Sequence, residues 1–464
     1  MEIDREFLIA PLLPPQKSPV SFPSLLIASA RSTRVHGPLM KRAHFCTLVT
    51  AMLASLHLPI HAAPDARVLS VAEREKAPLL KTLEQVVGVE SGSRDVEGLA
   101  RAAELIAARL TELGGRVEQI PTGPEIYRMA DTPERIGASV RATFTGTGTR
   151  SILLLAHMDT VYPRGTIARQ PFRIDGDRVY GVGIADDKHG VALILHVVSM
   201  LQQLEFRGYR TLTVLINSDE ELSSPGSRQL LTQLGAEHDA VLSFESVLTT
   251  SDTVTLATSG IASVTLRVQG RGSHAGVAPE RGVNALYELA HQILQTRDLS
   301  EPDRGLKMNW TTAQAGVTRN MIPPEATASA DVRVLRVEDY DRLETKLRER
   351  IKHQLLPEAV VHLDFERRRP PLEATDASRR LAVHAQTIYR EIDRDLGVQD
   401  KPEGGGTDAA FAALRARGPV IESLGLRGFG FHSTNDEYVL ASSIVPRLYL
   451  ATRLIMDVSA DKAR

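Results

Sequence analysis

Cysteine is almost absent from this chain. The 464 residues contain one cysteine, Cys46, which lies in an apolar run near the N-terminus. If that run is removed from the mature protein, no cysteine remains and no disulfide can form. Any metal ligands must then be histidine, aspartate and glutamate side chains, because no thiolate is available.

A strong net charge is also lacking. The formal net charge is -2, from 55 basic and 57 acidic residues that are well mixed along the chain. This balance does not indicate nucleic acid or an anionic membrane surface as a partner. The hydrophobic content of 42% and charged content of 24% are typical of a soluble globular protein. A chain of this length predicts two structural units.

No apolar run is long enough for a stable membrane anchor. The run at 45–60 is too short to span a bilayer. It follows a basic patch at 40–42 and precedes small residues, which is the order of a secretory signal peptide. The alternative is a short buried helix. We expect a leader and signal over 1–63 with a true start at Met40, and therefore a secreted or periplasmic protein.

Strands alternate with helices in the next part of the chain. Apolar runs at 151–156, 211–216 and 240–244 predict strands that are buried on both faces. Helical periodicity follows between them, and one short helix is predicted to stop at Gly235. This order predicts an α/β fold with a mostly parallel sheet and helices on both faces.

The pattern changes after Gly260. Strand-like and helix-like segments follow in the order β-α-β-β-α-β, up to the arginine run at 367–369. This order is typical of a ferredoxin-like α+β unit. We therefore expect a lid domain, 260–369, inserted into a catalytic domain that is made of 64–259 and 370–464.

Side chains that can bind metal follow the three buried strands. His157 comes after the first strand, Glu220 and Glu221 after the second, and Glu245 after the third. In an open α/β sheet, ligands collect beyond the carboxyl ends of the strands. One strand that ends in an acid carries little weight, but recurrence at three equivalent ends predicts a metal site.

Two further groups complete the candidate ligand set. Asp186 and Asp187 lie in a loop before a helix, and His432 lies in a glycine-rich loop at 428–433. Imidazole and carboxylate ligands without thiolate suit a catalytic zinc pair. Two zinc ions per chain, sharing one carboxylate, can activate water against a polarised carbonyl.

The residues alone leave some roles open. Asp159 can accept the second ring N–H of His157 and fix its tautomer. One of Glu220 and Glu221 can bind metal while the other acts as general base. Taken by itself, this glutamate pair is more often explained as a solvated loop.

Five short motifs together resemble a known enzyme family. They are His-Met-Asp-Thr-Val at 157–161, Gly-Ile-Ala-Asp-Asp-Lys at 183–188, Asp-Glu-Glu at 219–221, Ser-His-Ala-Gly at 273–276 and Gly-Gly-Gly-Thr-Asp at 404–408. They resemble the di-zinc carboxypeptidase/aminoacylase superfamily, and within it the bacterial secreted glutamate carboxypeptidases that cleave folates. The resemblance implies a metallo-carboxypeptidase that releases a C-terminal amino acid, with glutamate as the candidate, from a peptidyl or N-acyl substrate with a free carboxylate.

The resemblance also assigns the ligands. It implies that His157 and Glu245 hold one zinc ion and that Glu221 and His432 hold the other. Asp186 would bridge the two ions, because relatives that read Asp-Met-Lys keep only the first acid of the pair.

The remaining roles follow from the same resemblance. Glu220 would be the general base, Asp159 would orient His157, and His274 would donate to the developing oxyanion. The implied substrate contacts are Asn320, Arg333, Arg369, Gly406 and Thr407, with Arg369 on the α-carboxylate because its planar fork pairs with both oxygens. The resemblance further implies a homodimer formed through the lid domain.

Other readings remain open at this point. A lone lid histidine is more often a surface residue, and the arginine run at 367–369 could be a solvated basic turn. The same metal site could serve an aminopeptidase or dipeptidase with an acidic pocket, or an N-acyl amino acid amidohydrolase. A non-catalytic binding protein would be expected to lack the base or a ligand, and every expected position is filled. Thr253 stands where folate-cleaving relatives carry lysine, which weakens the expectation of glutamate.

Overall fold

The computed structural model describes residues 63–247, 251–402, 404–433 and 436–462. The predicted leader and signal therefore lies outside the described residues, except for Ala63. The helices are α1 (Ala66–Val87), α2 (Val96–Glu112), α3 (His189–Gln203), α4 (Arg228–Glu237), α5 (Ala285–Thr296), α6 (Glu338–Arg350), α7 (Asp376–Arg390), α8 (Ala409–Ala413) and α9 (Ile444–Ser459).

The strands of the same segments fall into two large and two small sheets. They are β1 (Arg116–Ile120), β2 (Ser139–Thr145), β3 (Ser151–His157), β4 (Arg173–Asp175), β5 (Arg178–Tyr180), β6 (Thr211–Asn217), β7 (Ala240–Ser243), β8 (Thr253–Thr255), β9 (Gly260–Gln269), β10 (Lys307–Ala315), β11 (Glu325–Val334), β12 (Val360–Arg369), β13 (Gly397–Gln399), β14 (Val420–Ile421), β15 (Gly428–Phe429) and β16 (Tyr438–Leu440).

The larger sheet has six strands in the order β1-β2-β6-β3-β7-β14. β3 pairs in parallel with β6 and β7, and β7 pairs in parallel with β14. β2 runs antiparallel to both of its neighbours. The prediction of a mostly parallel sheet is therefore confirmed.

Helices cover both faces of this sheet, and β3 explains why. All seven of its residues are buried. Ile152 and Leu154 pack in the core that includes α1, α3 and α9, whereas Leu153 and Leu155 pack in a second core with α4 and α8. Successive side chains of a strand point to opposite faces, so a strand with two covered faces is apolar at every position. Each fully buried leucine contributes roughly 1.5–3 kcal/mol to folding.

The second large sheet has the ferredoxin-like arrangement. Its strand order is β10-β11-β9-β12, and every pair is antiparallel. Side chains from α5 and α6 share one core with alternate residues of these strands. The chain order β9-α5-β10-β11-α6-β12 matches the predicted one, so the lid domain belongs to the fold as expected. The exact domain limits remain predictions, although β9 begins at Gly260 and β12 ends at Arg369.

Gly235 does not stop a helix, contrary to the expectation from sequence. It lies inside α4 and is buried. A Cβ atom at this position would lie 2.0 Å from the backbone oxygen of Ala412, which belongs to α8. Glycine is needed here because two helices approach closely, and that requirement is set by tertiary packing.

The carboxyl ends of the parallel strands meet at one edge of the six-stranded sheet. β3 ends at His157, β6 at Asn217 and β7 at Ser243. His157 is itself the last residue of β3, and the segments after β6 and β7 carry Glu220, Glu221 and Glu245, so the strand directions bring distant segments of the chain together. Within the described segments, every helix is too short or too polar to span a membrane.

Candidate metal centre

A first group of possible ligands forms around His157. Its Nε2 atom lies 3.3 Å from Oε1 of Glu245 and 3.0 Å from Oδ1 of Asp186. Asp187 offers a further oxygen, and the ligand atoms of His157, Asp187 and Glu245 all lie within 4.8 Å of one another. His157 is the last residue of β3 and is 1% exposed, so its ring is held rigidly.

A second group forms around His432. Its Nε2 atom lies 3.0 Å from Oδ2 of Asp186 and 3.4 Å from Oε2 of Glu221. The ligand atoms of these three residues also lie within 4.8 Å of one another. His432 adopts a left-handed backbone conformation, with φ of 55°. The glycine-rich loop places the His432 ring beside the carboxyl ends of strands that are distant in the sequence.

Asp186 lies between the two groups. Its two carboxylate oxygens face different histidines, Oδ1 toward His157 and Oδ2 toward His432. Asp187, joined to Asp186 by a cis peptide bond, accepts instead from the backbone N–H groups of Gly190 (3.2 Å) and His157 (3.4 Å). This position between the two histidines is compatible with the bridging role that the resemblance implies for Asp186, which remains a prediction.

Asp159 links the first histidine to the glutamate pair. Its Oδ1 atom lies 3.3 Å from Nδ1 of His157, whose Nδ1 also lies 3.1 Å from the Asp159 backbone oxygen. The same carboxylate accepts the backbone N–H groups of Glu220 and Glu221, each at 3.1 Å. Ser93 donates a further hydrogen bond at 2.8 Å. Asp159 thus fixes the His157 ring and the turn that carries both glutamates.

The carboxylates of the two groups are crowded and buried. Burial, together with repulsion from Asp186, raises the pKa of Glu221 to about 8. Burial also raises the pKa of Glu245 well above its usual value. Hydrogen bonds to Asp186 and Glu221 raise the pKa of His432 to about 10. Burial acts on Asp186 in the same direction, but its hydrogen bonds with His157 and His432 lower the pKa of Asp186 overall.

The residues fit a pair of divalent cations. Oε1 of Glu221 is buried and has no hydrogen-bond partner among the described residues, as expected for an atom that a cation would contact. Imidazole and carboxylate donors without thiolate match the preferences of catalytic zinc. His157, Asp187 and Glu245 form one group and Asp186, Glu221 and His432 the other, while Asp186 also lies beside His157, so six side chains are available.

A cavity of about 340 Å³ opens beside the two groups. One side is formed by four of the candidate ligands, Asp186, Glu221, Glu245 and His432, and by Glu220. The remaining lining residues are Ser246, Thr255, Ala257, Thr258, Arg369, Gln399, Gly405, Gly406, Thr407, Glu422, Ser423 and Phe431. The cavity therefore brings three of the five predicted substrate contacts, Arg369, Gly406 and Thr407, next to the metal groups.

Arg369 lies inside this cavity but is already paired. Its guanidinium contacts both the carboxylate and the backbone oxygen of Glu220, and lies 3.6 Å from Oδ1 of Asp408. Arg369 and Glu220 are each 6% exposed. Although burial opposes its charge, these carboxylates raise the pKa of Arg369, so it stays a cation. A substrate carboxylate would compete with Glu220 for this side chain.

Gly406 and Thr407 shape the wall around Arg369. A Cβ atom on Gly406 would lie 2.6 Å from Cδ of Arg369, so a larger residue would displace the arginine. The Thr407 hydroxyl donates to Oε1 of Glu422 at 2.7 Å. Gly406 and Thr407 thus support the cavity wall, and their direct contact with substrate remains a prediction.

The other lid residues lie outside the cavity lining. His274 and Asn320 are exposed and close together, since the Ala275 N–H donates to the Asn320 backbone oxygen at 2.9 Å. Arg333 pairs with Asp331 and donates to the backbone oxygen of Gly404 at 2.7 Å. The structure brings His274 and Asn320 to each other but not to the metal groups, and their roles remain predictions.

Glu422 is a cavity residue that was not predicted from the sequence. It is 2% exposed, and burial raises its pKa to about 7. It follows β14, a two-residue strand that pairs in parallel with β7. The signal was the same as for the other acids, a polar residue directly after an apolar strand, but this strand is too short to recognise by periodicity.

Two facing groups of buried histidine and carboxylate side chains, beside a cavity that contains an arginine, define the site of a metal-dependent hydrolase. Residues 153–457 match the sequence profile described as peptidase family M20/M25/M40. The chain is 43% identical to carboxypeptidase G2 of a Pseudomonas species over 90% of this chain and 98% of that protein. It is 28% identical to N-acetyl-L-citrulline deacetylase of Xanthomonas campestris over 66% of this chain and 82% of that protein.

Two solved structures have a fold similar to that of this chain. Aminopeptidase PepT from Bacillus cereus superposes with a TM-score of 0.68 at 22% identity, over 82% of this chain and 98% of that one. An M20 family metallo-carboxypeptidase from Sulfolobus solfataricus superposes with a TM-score of 0.64 at 14% identity, over 81% of this chain and 98% of that one. At these identities the likeness concerns the fold.

The chain belongs to peptidase family M20/M25/M40. The predicted family, the predicted fold class and the prediction of a metallo-carboxypeptidase are therefore confirmed. The dependence on metal is confirmed as well, whereas the identity and number of the ions remain proposals.

Proposed function

We propose that this protein is a di-zinc carboxypeptidase that releases the C-terminal amino acid from a peptidyl or N-acyl substrate. One observation carries the proposal of two ions. The two oxygens of Asp186 lie 3.0 Å from Nε2 of His157 and 3.0 Å from Nε2 of His432. Each histidine has further carboxylates beside it, so each side offers a set of ligands for one ion.

Bound zinc would polarise the scissile carbonyl and lower the pKa of water. Glu220 would accept the proton of that water and return it to the leaving amine. It suits this task because it lines the cavity and is absent from both ligand groups. Asp159 supports it indirectly, since it holds the backbone of the 220–221 turn.

Arg369 would bind the α-carboxylate of the residue to be released. It is the only arginine or lysine among the described residues that line the cavity. An ion pair inside a cavity that excludes water is stronger than one on a surface. When the substrate carboxylate replaces Glu220 beside Arg369, the carboxylate of Glu220 becomes free to act as base. Glutamate is the candidate released residue, as the resemblance implies.

His274 and Asn320 would reach the substrate only after lid closure or from a second subunit. Both are exposed and adjacent, so they can move as one unit with the lid. We propose a homodimer formed through the lid, with a substrate that has a free C-terminal carboxylate as the other partner and with neither nucleic acid nor membrane involved. We also propose export to the periplasm or medium, on the basis of the signal-like N-terminus.

An aminopeptidase or dipeptidase is the second candidate. Glu422 is an acid in the cavity that could bind an amine, and its Oε2 atom is buried without a hydrogen-bond partner among the described residues. The similar fold of an aminopeptidase is compatible with this alternative. An N-acyl amino acid amidohydrolase would differ from the carboxypeptidase only in the group on the acyl side.

The test compares an N-acyl amino acid with its C-terminal amide. Wild type should strongly prefer the acid, and Arg369→Ala should lose most of that preference. Arg368→Ala is the matched control, because Arg368 pairs with Asp131 at 2.8 Å and does not line the cavity. Equal cleavage of acid and amide by wild type would favour the aminopeptidase. Elemental analysis that finds no more than one metal ion per active chain would contradict the paired site.

A further inference from the structure

Glu437 is a buried carboxylate close to the metal groups that belongs to neither of them. It lies five residues after His432 in the sequence and is 0% exposed. Its Oε2 atom accepts the backbone N–H of Gly183 at 3.1 Å, and its Oε1 atom accepts the backbone N–H of Ala185 at 2.8 Å. Both donors belong to the loop that leads into Asp186.

Glu437 therefore connects the two loops that deliver ligands to both groups. Its backbone oxygen also accepts the N–H of Gly181 at 3.4 Å. The Tyr162 hydroxyl, a neighbour of the Glu437 carboxylate, donates to the backbone oxygen of Ser433 at 2.9 Å. The loop before Asp186 and the segment around His432 are thus joined by hydrogen bonds to one buried side chain and its neighbour.

This connection holds the loop that carries Asp186. Asp186 faces both histidines at 3.0 Å, so a small displacement of its loop lengthens contacts in both groups. We propose that Glu437 is a positioning residue that fixes the bridging carboxylate of Asp186 relative to His432, and thereby sets the affinity for both metal ions. The inference rests on the proposed two-metal function.

Replacement of Glu437 by glutamine tests this role with little change of shape. Each carboxylate oxygen accepts a different N–H, so an amide can satisfy only one of them. Its NH₂ group would face either the Gly183 N–H or the Ala185 N–H, donor against donor, and would push the loop away. Loss of a residue that orients metal ligands typically weakens metal binding 10- to 100-fold.

Glu90→Gln provides a matched control. Glu90 accepts the backbone N–H groups of Gly165 at 2.8 Å and Ile167 at 2.9 Å, one on each oxygen. Glu90 makes the same two kinds of contact as Glu437 but is only half-buried, and its loop carries no candidate ligand. Glu90→Gln should therefore lose no more stability than Glu437→Gln in metal-free form, measured by thermal unfolding.

The experiment measures zinc affinity by competition with chelators of graded strength, followed by elemental analysis. Glu437→Gln should bind both ions roughly 10- to 100-fold more weakly than wild type. Glu90→Gln should stay within about twofold of wild type, and Glu437→Asp, which keeps two acceptor oxygens on a shorter stem, should fall in between. The aspartate variant keeps the test informative if the glutamine variant does not fold.

Three results would overturn the inference. Glu437→Gln and Glu437→Asp could both bind zinc as tightly as wild type, which would remove any positioning role. Glu90→Gln could lose as much affinity as Glu437→Gln, which would indicate general destabilisation. Wild type could hold fewer than two ions, which would contradict the proposed function itself and would be seen before any variant is compared.

Discussion

Glu220 and Glu221 are adjacent in the sequence but have different partners. The Glu221 carboxylate lies 3.4 Å from Nε2 of His432 and belongs to a ligand group. The Glu220 carboxylate turns away and pairs with Arg369. Asp159 holds both backbone N–H groups, so the turn between the two side chains is fixed. This division supports one ligand and one base from a single Glu-Glu pair.

The first prediction, at the scale of single residues, concerns Glu220 as the proposed general base. Glu220→Gln should lose on the order of 10² or more in kcat, because the amide cannot accept a proton. It should retain metal as wild type does, since Glu220 is not in a ligand group. Glu221→Gln is the contrasting variant and should lose metal. Kinetics and elemental analysis on the same samples check both outcomes, and metal loss in Glu220→Gln would mean that the two roles are reversed.

At the scale of single elements, α5 has an apolar face without a partner among the described residues. The helix is capped by Asn284, which accepts the N–H groups of Leu286 at 3.0 Å and Tyr287 at 3.3 Å. Leu289 faces the lid core. On the outer side, Tyr287 is 62% exposed and Leu294 is 58% exposed. β10, at the edge of the same sheet, leaves one side unpaired. These features suit a contact between two lids.

We expect the double variant Tyr287→Arg, Leu294→Asp to be monomeric, because charges would have to be buried in the proposed lid contact. Val383→Asp on α7 is the control, since Val383 is 59% exposed but lies outside the lid. Sedimentation velocity distinguishes the two species. A wild type that sediments as a monomer, or a double variant that remains a dimer, would rule out this surface as the interface.

At the scale of the whole molecule, the start of α1 is held by contacts with residues nearby in the chain and with α9. Asp65 caps α1 by accepting the N–H groups of Arg67 at 3.1 Å and Val68 at 3.2 Å. Its own N–H donates to the Tyr449 hydroxyl in α9 at 2.9 Å. Cleavage near Ala63 would leave all of these bonds intact.

We therefore expect the exported protein to begin at Ala63 or Pro64. N-terminal sequencing of protein from its native source checks this, and recovery of residues 20–39 would contradict it. Asp65→Ala should lower the free energy of unfolding by about 1 kcal/mol, the usual effect of losing an N-cap, and should not alter the cleavage site. Denaturant titration of the mature chain measures the difference.

The sequence alone determined those features that depend on local pattern. β3, β6 and β7 were predicted because strands covered on both faces are apolar at every position. His157 and Glu245 were predicted as ligands because polar residues at the ends of such strands are conspicuous. By contrast, β1 was not predicted, since its five residues are exposed or half-buried and show no apolar run. β1 is a strand because it pairs with β2, a contact that its local sequence pattern does not reveal.

The tertiary structure decided the features that join distant segments. The contact between Arg369 and Glu220 spans 149 positions, and the bond from Ala185 to Glu437 spans 252. The prediction that Gly235 ends a helix was wrong because glycine is required there by the close approach of Ala412, which lies in another helix. Local periodicity reports which face of an element is buried, but not which element covers it. Packing fixes those partners, and with them the pairing of Glu220 with Arg369, the position of Asp186 between His157 and His432, and the contacts of Glu437 with Gly183 and Ala185.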